Sequence, residues 1–109
     1  MNWSVVYLPA ALQDLRNLDG SQRILIRKAI CKVSKNPLPL SEQGYGKPLG
    51  NKSNHNLTGF LKIKLKSTGL RIVYTLIRTA DTMTIIVIGT REDEEVYAIA
   101  QRRAKKHDL

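Results

Sequence analysis

The hydrophobic positions change their spacing several times along the chain, and each change predicts an element. Residues 3–8 (Trp-Ser-Val-Val-Tyr-Leu) are rich in β-formers and stop at Pro9, the pattern of a short strand. Pro9 suits the first turn of a helix, and Leu12, Leu15 and Leu18 follow as one apolar stripe at helical spacing. Asp19-Gly20 reads as the turn after it, with Ser21 the candidate N-cap of a second helix. That helix carries Ile26, Ala29, Ile30 and Val33 on its apolar side and Arg23, Arg27, Lys28, Lys32 and Lys35 on the other. It ends at Asn36-Pro37, because a proline disfavours helix at the residue before it. From 37 to 59 periodicity disappears among three prolines and four glycines; this predicts a loop beyond the usual length, of the kind that is functional or mobile.

Regular alternation returns in residues 60–65, with Lys62 and Lys64 on one face and Ile63 and Leu65 on the other. Lys66-Ser67-Thr68-Gly69 makes a hairpin turn, residues 70–77 the return strand, and Ala80-Asp81 another turn. Residues 83–88 are almost continuously apolar, as in a strand covered on both faces. Residues 96–106 are helical, and their basic end complements the helix dipole. The predicted order is β-α-α-β-β-β-α in one domain over residues 1–109. This is an α+β fold: an antiparallel sheet with two N-terminal helices packed on it and a C-terminal helix.

Charge sharpens the picture. The chain has 109 residues and a formal net charge of +9. Between Gly20 and Ala80 twelve cations face one acid, Glu42, whereas the acids gather in Glu92-Asp93-Glu94-Glu95. Such a field favours a polyanionic partner, nucleic acid being the commonest, and an acidic protein partner is compatible with it. Arg23, Arg27, Lys28, Lys32, Lys35, Lys47, Lys52 and Lys66 are the candidate nucleic-acid-binding residues. Composition is that of an ordinary globular domain, with no signal-like N-terminus and no apolar run of membrane-spanning length, so a cytoplasmic location and no membrane contact are expected. One cysteine and two histidines exclude an internal disulfide and argue against a structural zinc site, and no cofactor is implied. Cys31, on a helix, reads as a small packing residue, and the run of acids from Glu92 to Glu95 as a solvated turn.

The same alternation yields a candidate site. Lys62 and Lys64 project from one face about 7 Å apart, Arg71 lies across the hairpin, Arg91 follows the buried strand, and Tyr97 opens the last helix. Cations and one phenol together suit a phosphodiester: the cations stabilise the extra charge of a pentavalent phosphorane, and the phenol stacks on a base or moves a proton. The plainer account is a solvated Lys-x-Lys sheet face with Tyr97 packed on the core. Other chemistries have less support. There is no Gly-rich phosphate loop ahead of a helix, no serine in a nucleophile elbow, and no histidine paired with a carboxylate. Trp3 and the four tyrosines form no stacking ladder.

Three blocks, residues 62–74 (Lys-Ile-Lys-Leu-Lys-Ser-Thr-Gly-Leu-Arg-Ile-Val-Tyr), Ile88-Gly89-Thr90-Arg91-Glu92 and Glu95-Val96-Tyr97, closely resemble the RelE toxin family in content, order and spacing. The likeness is strong over residues 60–106 and weaker over the first 37, where Tyr7, Leu15, Leu18 and Asn36-Pro37 fit. It implies a microbial-ribonuclease-like fold and the toxin of a bacterial type II toxin–antitoxin system. The implied activity is metal-independent cleavage of mRNA in the ribosomal A site, by attack of a 2′-hydroxyl on the neighbouring phosphate. By matching positions, Lys62 and Lys64 would stabilise charge at the phosphate, one of them as a candidate base. Arg71 would hold the phosphate in the transition state, Arg91 would be the candidate acid or a further stabiliser, and Tyr97 would stack on or orient the nucleotide, or serve as the base. The implied partners are the ribosome, mRNA and an acidic RelB-like antitoxin, through which a hetero-oligomer would bind operator DNA. The chain departs from the family in its longer 37–59 segment and in lacking an arginine just before the Lys-x-Lys strand, where Lys52 and His55 are the nearest counterparts; this bears on codon preference. Two other readings stand beside it: a ParE-like toxin that inhibits DNA gyrase without cutting RNA, and a domain that only binds RNA, with salt-sensitive affinity and no product.

Overall fold

A computed structural model describes residues 2–52, 55–90 and 92–109, with the backbone alone described at 51, 52 and 55. The elements are β1 (Ser4–Tyr7), α1 (Pro9–Arg16), α2 (Gly20–Val33), β2 (Lys47–Lys52), β3 (His55–Leu65), β4 (Leu70–Ile77), β5 (Thr82–Gly89) and α3 (Asp93–Lys106), with single 3-10 turns at Leu40–Glu42 and Arg78–Ala80. One sheet runs in the order β1-β5-β4-β3-β2. The α+β architecture follows the expectation, with two corrections. The 37–59 segment is not all loop: it contains β2 and the first part of β3. The sheet is mixed rather than antiparallel, since β1 lies parallel to β5 while the other neighbours are antiparallel.

The physical reason β2 escapes a periodicity reading is its position. It is an edge strand, so Pro48 forfeits no ladder hydrogen bond on the open side, and a bulge between Pro48 and Gly50 breaks the alternation. Gly50 takes φ +59° there, a left-handed conformation that favours glycine. Leu49 and Leu57 are nevertheless buried and tie this margin of the sheet to the core.

The helix starts also move. Asp19, not Ser21, caps α2: its carboxylate accepts from the Gln22 amide at 2.8 Å, the Gln22 side chain accepts from the Asp19 amide, and the Ser21 hydroxyl donates to Asp19 as well. These donors hold the Asp19 carboxyl below its usual pKa. Cys31 lies on the exposed side of α2 and does not pack; α2 buries Ile26, Ile30 and Val33 instead. In α1 the buried pair is Ala11 and Leu15, with Leu12 and Leu18 half-buried beside them. The acids are not a free turn, because α3 begins at Asp93 and places Asp93, Glu94 and Glu95 in its first turn, where the helix dipole favours negative charge.

Every residue of β5 from Met83 to Ile88 is buried. Pairing with β1 ends at Tyr7 opposite Ile85, closed by the Leu8 amide donating to the Ile85 carbonyl. A bulge then inserts Ile86, since Tyr74 faces Ile85 and Val73 faces Val87. Beyond the end of β1, side chains serve the β5 backbone. Arg103 Nη1 donates to the Ile86 carbonyl at 3.0 Å and the Ile88 amide donates to Asp14 Oδ2 at 3.1 Å. The same two residues pair with each other at 2.6 and 3.1 Å, so one ion pair fastens α1 and α3 to one strand.

On the face of the sheet opposite Val73, Tyr74 is fully buried and donates its hydroxyl to the Pro37 carbonyl at 2.8 Å. Burial raises the Tyr74 phenol above its usual range, so it stays a neutral donor. Gly46 crosses directly over this contact: a Cβ there would lie 2.2 Å from the Tyr74 hydroxyl and 2.5 Å from a Leu61 methyl. Nearby, Arg78 and Glu42 form an exposed two-point pair at 2.7 and 3.0 Å, which adds little stability. Gly46→Ala is expected to lower stability by about 1–3 kcal/mol through overpacking, and Asp14→Ala by about 1–3 kcal/mol by leaving the Ile88 amide without its acceptor and Arg103 without its carboxylate. Urea denaturation followed by circular dichroism measures both.

Candidate active site

Sheet register builds the site. Lys64 is the cross-strand partner of Arg71, and Lys62 that of Val73 on one side and Lys47 on the other. Cross-strand partners share a face, as do residues two apart on one strand, so Lys47, Lys62, Lys64 and Arg71 all belong to one face. The short Lys66–Gly69 turn that brings Arg71 back closes with the Gly69 amide on the Leu65 carbonyl at 2.8 Å, Gly69 at φ +73°. The first turn of α3 crosses this face. Asp93 and Tyr97, four residues apart, lie on the same side of the helix and reach down together.

The contacts that result are specific. Lys62 Nζ donates to the Tyr97 phenol oxygen at 2.8 Å and to Asp93 Oδ2 at 3.4 Å, and sits 5.4 Å from the centre of the Tyr97 ring. Arg71 donates through Nε to Asp93 Oδ1 and through Nη1 to the Gly69 carbonyl at 2.9 Å. Partial burial works to raise the Asp93 pKa, but the hydrogen bond from Arg71 and the charges of Lys62 and Arg71 outweigh it and hold the carboxyl below its usual value. Lys62 and Tyr97 are buried, whereas Lys64, two residues along the strand, is exposed. A Lys-x-Lys pattern treats the two lysines as equivalent; the structure gives one a fixed seat and leaves the other in solvent.

Of the five candidates, the structure brings together Lys62, Lys64, Arg71 and Tyr97. Arg91 lies outside the described residues; β5 ends at Gly89, opposite Arg71, two positions before it. Among the wider basic set, Arg27, Lys28 and Lys32 are exposed on α2, while Lys35 is exposed just past its end, since the helix stops at Val33. The chain leaving α2 reaches Pro37 on the face opposite Lys62, so these cations belong to a separate surface. Lys32 lies 5.1 Å over the Tyr45 ring, a cation–π arrangement. Arg23 is committed locally, donating to the Leu18 and Arg16 carbonyls at 2.6 and 3.3 Å and so closing the end of α1. Lys47 and Lys66 are exposed near the site face, and the Lys52 side chain lies outside the described residues. Sequence reasoning missed Asp93. The available signal was the acid-rich stretch ahead of an apolar helical stripe, which marks a helix N-terminus and not merely a solvated turn.

No protein-family model matches the chain. Among curated proteins it is 31% identical over 93 residues to the mRNA interferase toxin RelE of Escherichia coli K12, spanning 85% of this chain and 87% of the relative. The chain belongs to the RelE toxin family. Another relative, a putative RelE-like toxin protein from E. coli, is 27% identical over 105 residues, covering 96% of this chain and all of that one. The fold agrees: a mutant E. coli RelE toxin in the free state superposes with a TM-score of 0.74 at 27% identity, over 94% of this chain and 98% of the other. E. coli RelE mutant in complex with an antitoxin RelBc peptide is similar with a TM-score of 0.68 at 27% identity, over 92% and 95% of the two chains. Within this RelE-family chain, folding strengthens the acidity of Asp93. Its stabilising contribution is therefore present above its unfolded pKa of about 3.9 and is lost as pH falls through the lower folded value. The stability difference between the wild type and Asp93→Asn is expected to be small near neutrality, at most about 1 kcal/mol for a partly exposed pair. It should vanish in urea titrations as the pH drops below 4, since wild type alone loses the charge.

Proposed function

We propose that this chain is a ribosome-dependent, metal-independent endoribonuclease that cleaves mRNA in the ribosomal A site. The observation that carries the reading is the convergence of Lys62, Lys64, Arg71 and Tyr97 on one sheet face beneath the first turn of α3. The name of its E. coli relative, mRNA interferase toxin RelE, points the same way. In this reading the 2′-hydroxyl of one nucleotide attacks the adjacent phosphate, forming the 2′-O–P bond and breaking the P–O5′ bond, to leave a 2′,3′-cyclic phosphate and a 5′-hydroxyl. Lys62 and Arg71 stabilise the charge that accumulates on the phosphorane oxygens. Lys64, exposed beside them, contacts the phosphate from the solvent side, and Arg91 is assigned the leaving 5′-oxygen.

Tyr97 takes the orienting role and not the stacking one. A stacked base needs an exposed ring face, whereas Tyr97 is only 5% exposed and accepts a hydrogen bond from Lys62. With its oxygen engaged as an acceptor, the phenol fixes the Lys62 ammonium and keeps its own O–H to offer. Lysine and arginine titrate far from neutrality and are weak acids and bases at pH 7. Much of the acceleration then comes from aligning the attacking hydroxyl, which is the part assigned to the ribosome. The partner is an acidic RelB-like antitoxin, in keeping with the +9 charge and with the RelBc-bound structure the chain resembles, and the resulting hetero-oligomer binds operator DNA through the antitoxin. Gyrase inhibition is not favoured: the relatives carry RelE names.

Primer extension on a defined mRNA, with and without ribosomes bearing an empty A site, tests this. Cuts are expected only with ribosomes, and Arg71→Ala and Lys62→Met should each slow cleavage by about 100-fold or more. Absence of cuts in both tubes, from protein with a native circular dichroism spectrum, would overturn the reading.

A further inference from the structure

We infer that the Asp93 carboxylate occupies the place of the substrate phosphate in the free protein and must leave its two cations before RNA binds. The inference rests on the reading that Lys62 and Arg71 hold the scissile phosphate, and adds a residue that sets how tightly they do so. Asp93 accepts from Lys62 Nζ through one oxygen and from Arg71 Nε through the other. That is the bridging a phosphodiester makes with its two non-bridging oxygens, and Nε lies on an edge through which a guanidinium binds an oxyanion in two-point fashion. Lys62 has three N–H donors, of which one goes to Tyr97 and one to Asp93. Carboxylate and phosphate therefore compete for the same donors.

Burial decides which member of the cluster gives way. The Lys62 and Arg71 side chains are 9% and 13% exposed, held by the sheet, Tyr97 and the Gly69 carbonyl, while the Asp93 side chain is 41% exposed at the end of a helix. A rotation of Asp93 toward solvent opens the seat without moving either cation. Two consequences follow. The empty site keeps its paired charges and is spared the repulsion of bare neighbouring cations. Weak or misplaced anions meet a site already neutralised in part, so the phosphate must be delivered in register to displace the carboxylate. Asp93 thus acts on substrate through Lys62 and Arg71 and is a positioning residue that raises the threshold for binding.

The direction of the affinity change separates this role from mere scaffolding. Binding of a fluorescein-labelled single-stranded RNA with 2′-O-methyl riboses, which cannot be cleaved, is measured by anisotropy for wild type, Asp93→Asn, Arg71→Ala and the double variant. Asp93→Asn is expected to bind about three- to tenfold more tightly at 0.1 M salt, with a salt dependence steeper by about 1 on a log–log plot. In the Arg71→Ala background most of that gain should disappear. If Asp93→Asn binds equally or more weakly, the carboxylate is a scaffold for its cations and the inference fails. A gain of the same size with and without Arg71 would also overturn it, as the mark of long-range charge alone. Asp93→Ala, which removes the side chain but leaves a good helix former, repeats the comparison should the asparagine variant unfold. Arg71→Ala alone tests the underlying reading: undiminished binding there refutes the phosphate assignment, whereas weakened binding with no gain from Asp93→Asn refutes only the inference.

Discussion

A buried strand that outruns its neighbour must find other partners for its backbone, and β5 meets that constraint with an ion pair. Past Ile85 the edge toward β1 would present unpaired carbonyl and amide groups to the core, at a cost comparable to a lost hydrogen bond for each. Arg103 and Asp14 answer the Ile86 carbonyl and the Ile88 amide, and neutralise one another while doing so. Because one partner comes from α1 and the other from α3, the repair of a strand edge fixes two helices. Tyr97 stands six residues before Arg103 on α3, about 9 Å along the axis. The anchor at one end of the helix therefore sets the height at which Tyr97 and Asp93 meet Lys62 and Arg71 at the other.

Much of this architecture is legible in the chain, and the illegible parts share a cause. The strands 70–77 and 83–88 and both N-terminal helices appear as changes of hydrophobic period, since each buries a regular face. β2 does not, because an edge strand with a proline and a bulge satisfies half its backbone with water and owes nothing to alternation. Asp19 replaces Ser21 as a cap through a contest decided by geometry one and two residues apart, below the resolution of a propensity argument. The direction of β1 depends on how a four-residue segment docks against β5, a long-range pairing that no local pattern records.

The site divides in the same way. Lys62, Lys64 and Arg71 follow from alternation and a tight hairpin, so their shared face can be read from spacing alone. Their unequal burial cannot, because it depends on which lysine lies under α3. Asp93 hides within an acidic run whose obvious interpretation is solvation, and its partners stand 22 and 31 residues away in the sequence. Arg23 makes the opposite point: counted with the polyanion-binding charge, it is spent on closing α1. Net charge measures the field a protein projects, and the structure separates the cations that project it from those already in use.

The interrupted edge strand has one more consequence. A five-stranded sheet with an apolar strand near its centre invites further strands at either margin. At β1 the exposed ladder is four residues long; at β2 a proline withholds an amide and the bulge between Pro48 and Gly50 turns the backbone off register. Both margins are too short or too irregular to template growth with a neighbouring copy. The features that hide β2 from sequence reading are thus the same ones that protect a crowded solution of this protein from polymerising edge to edge.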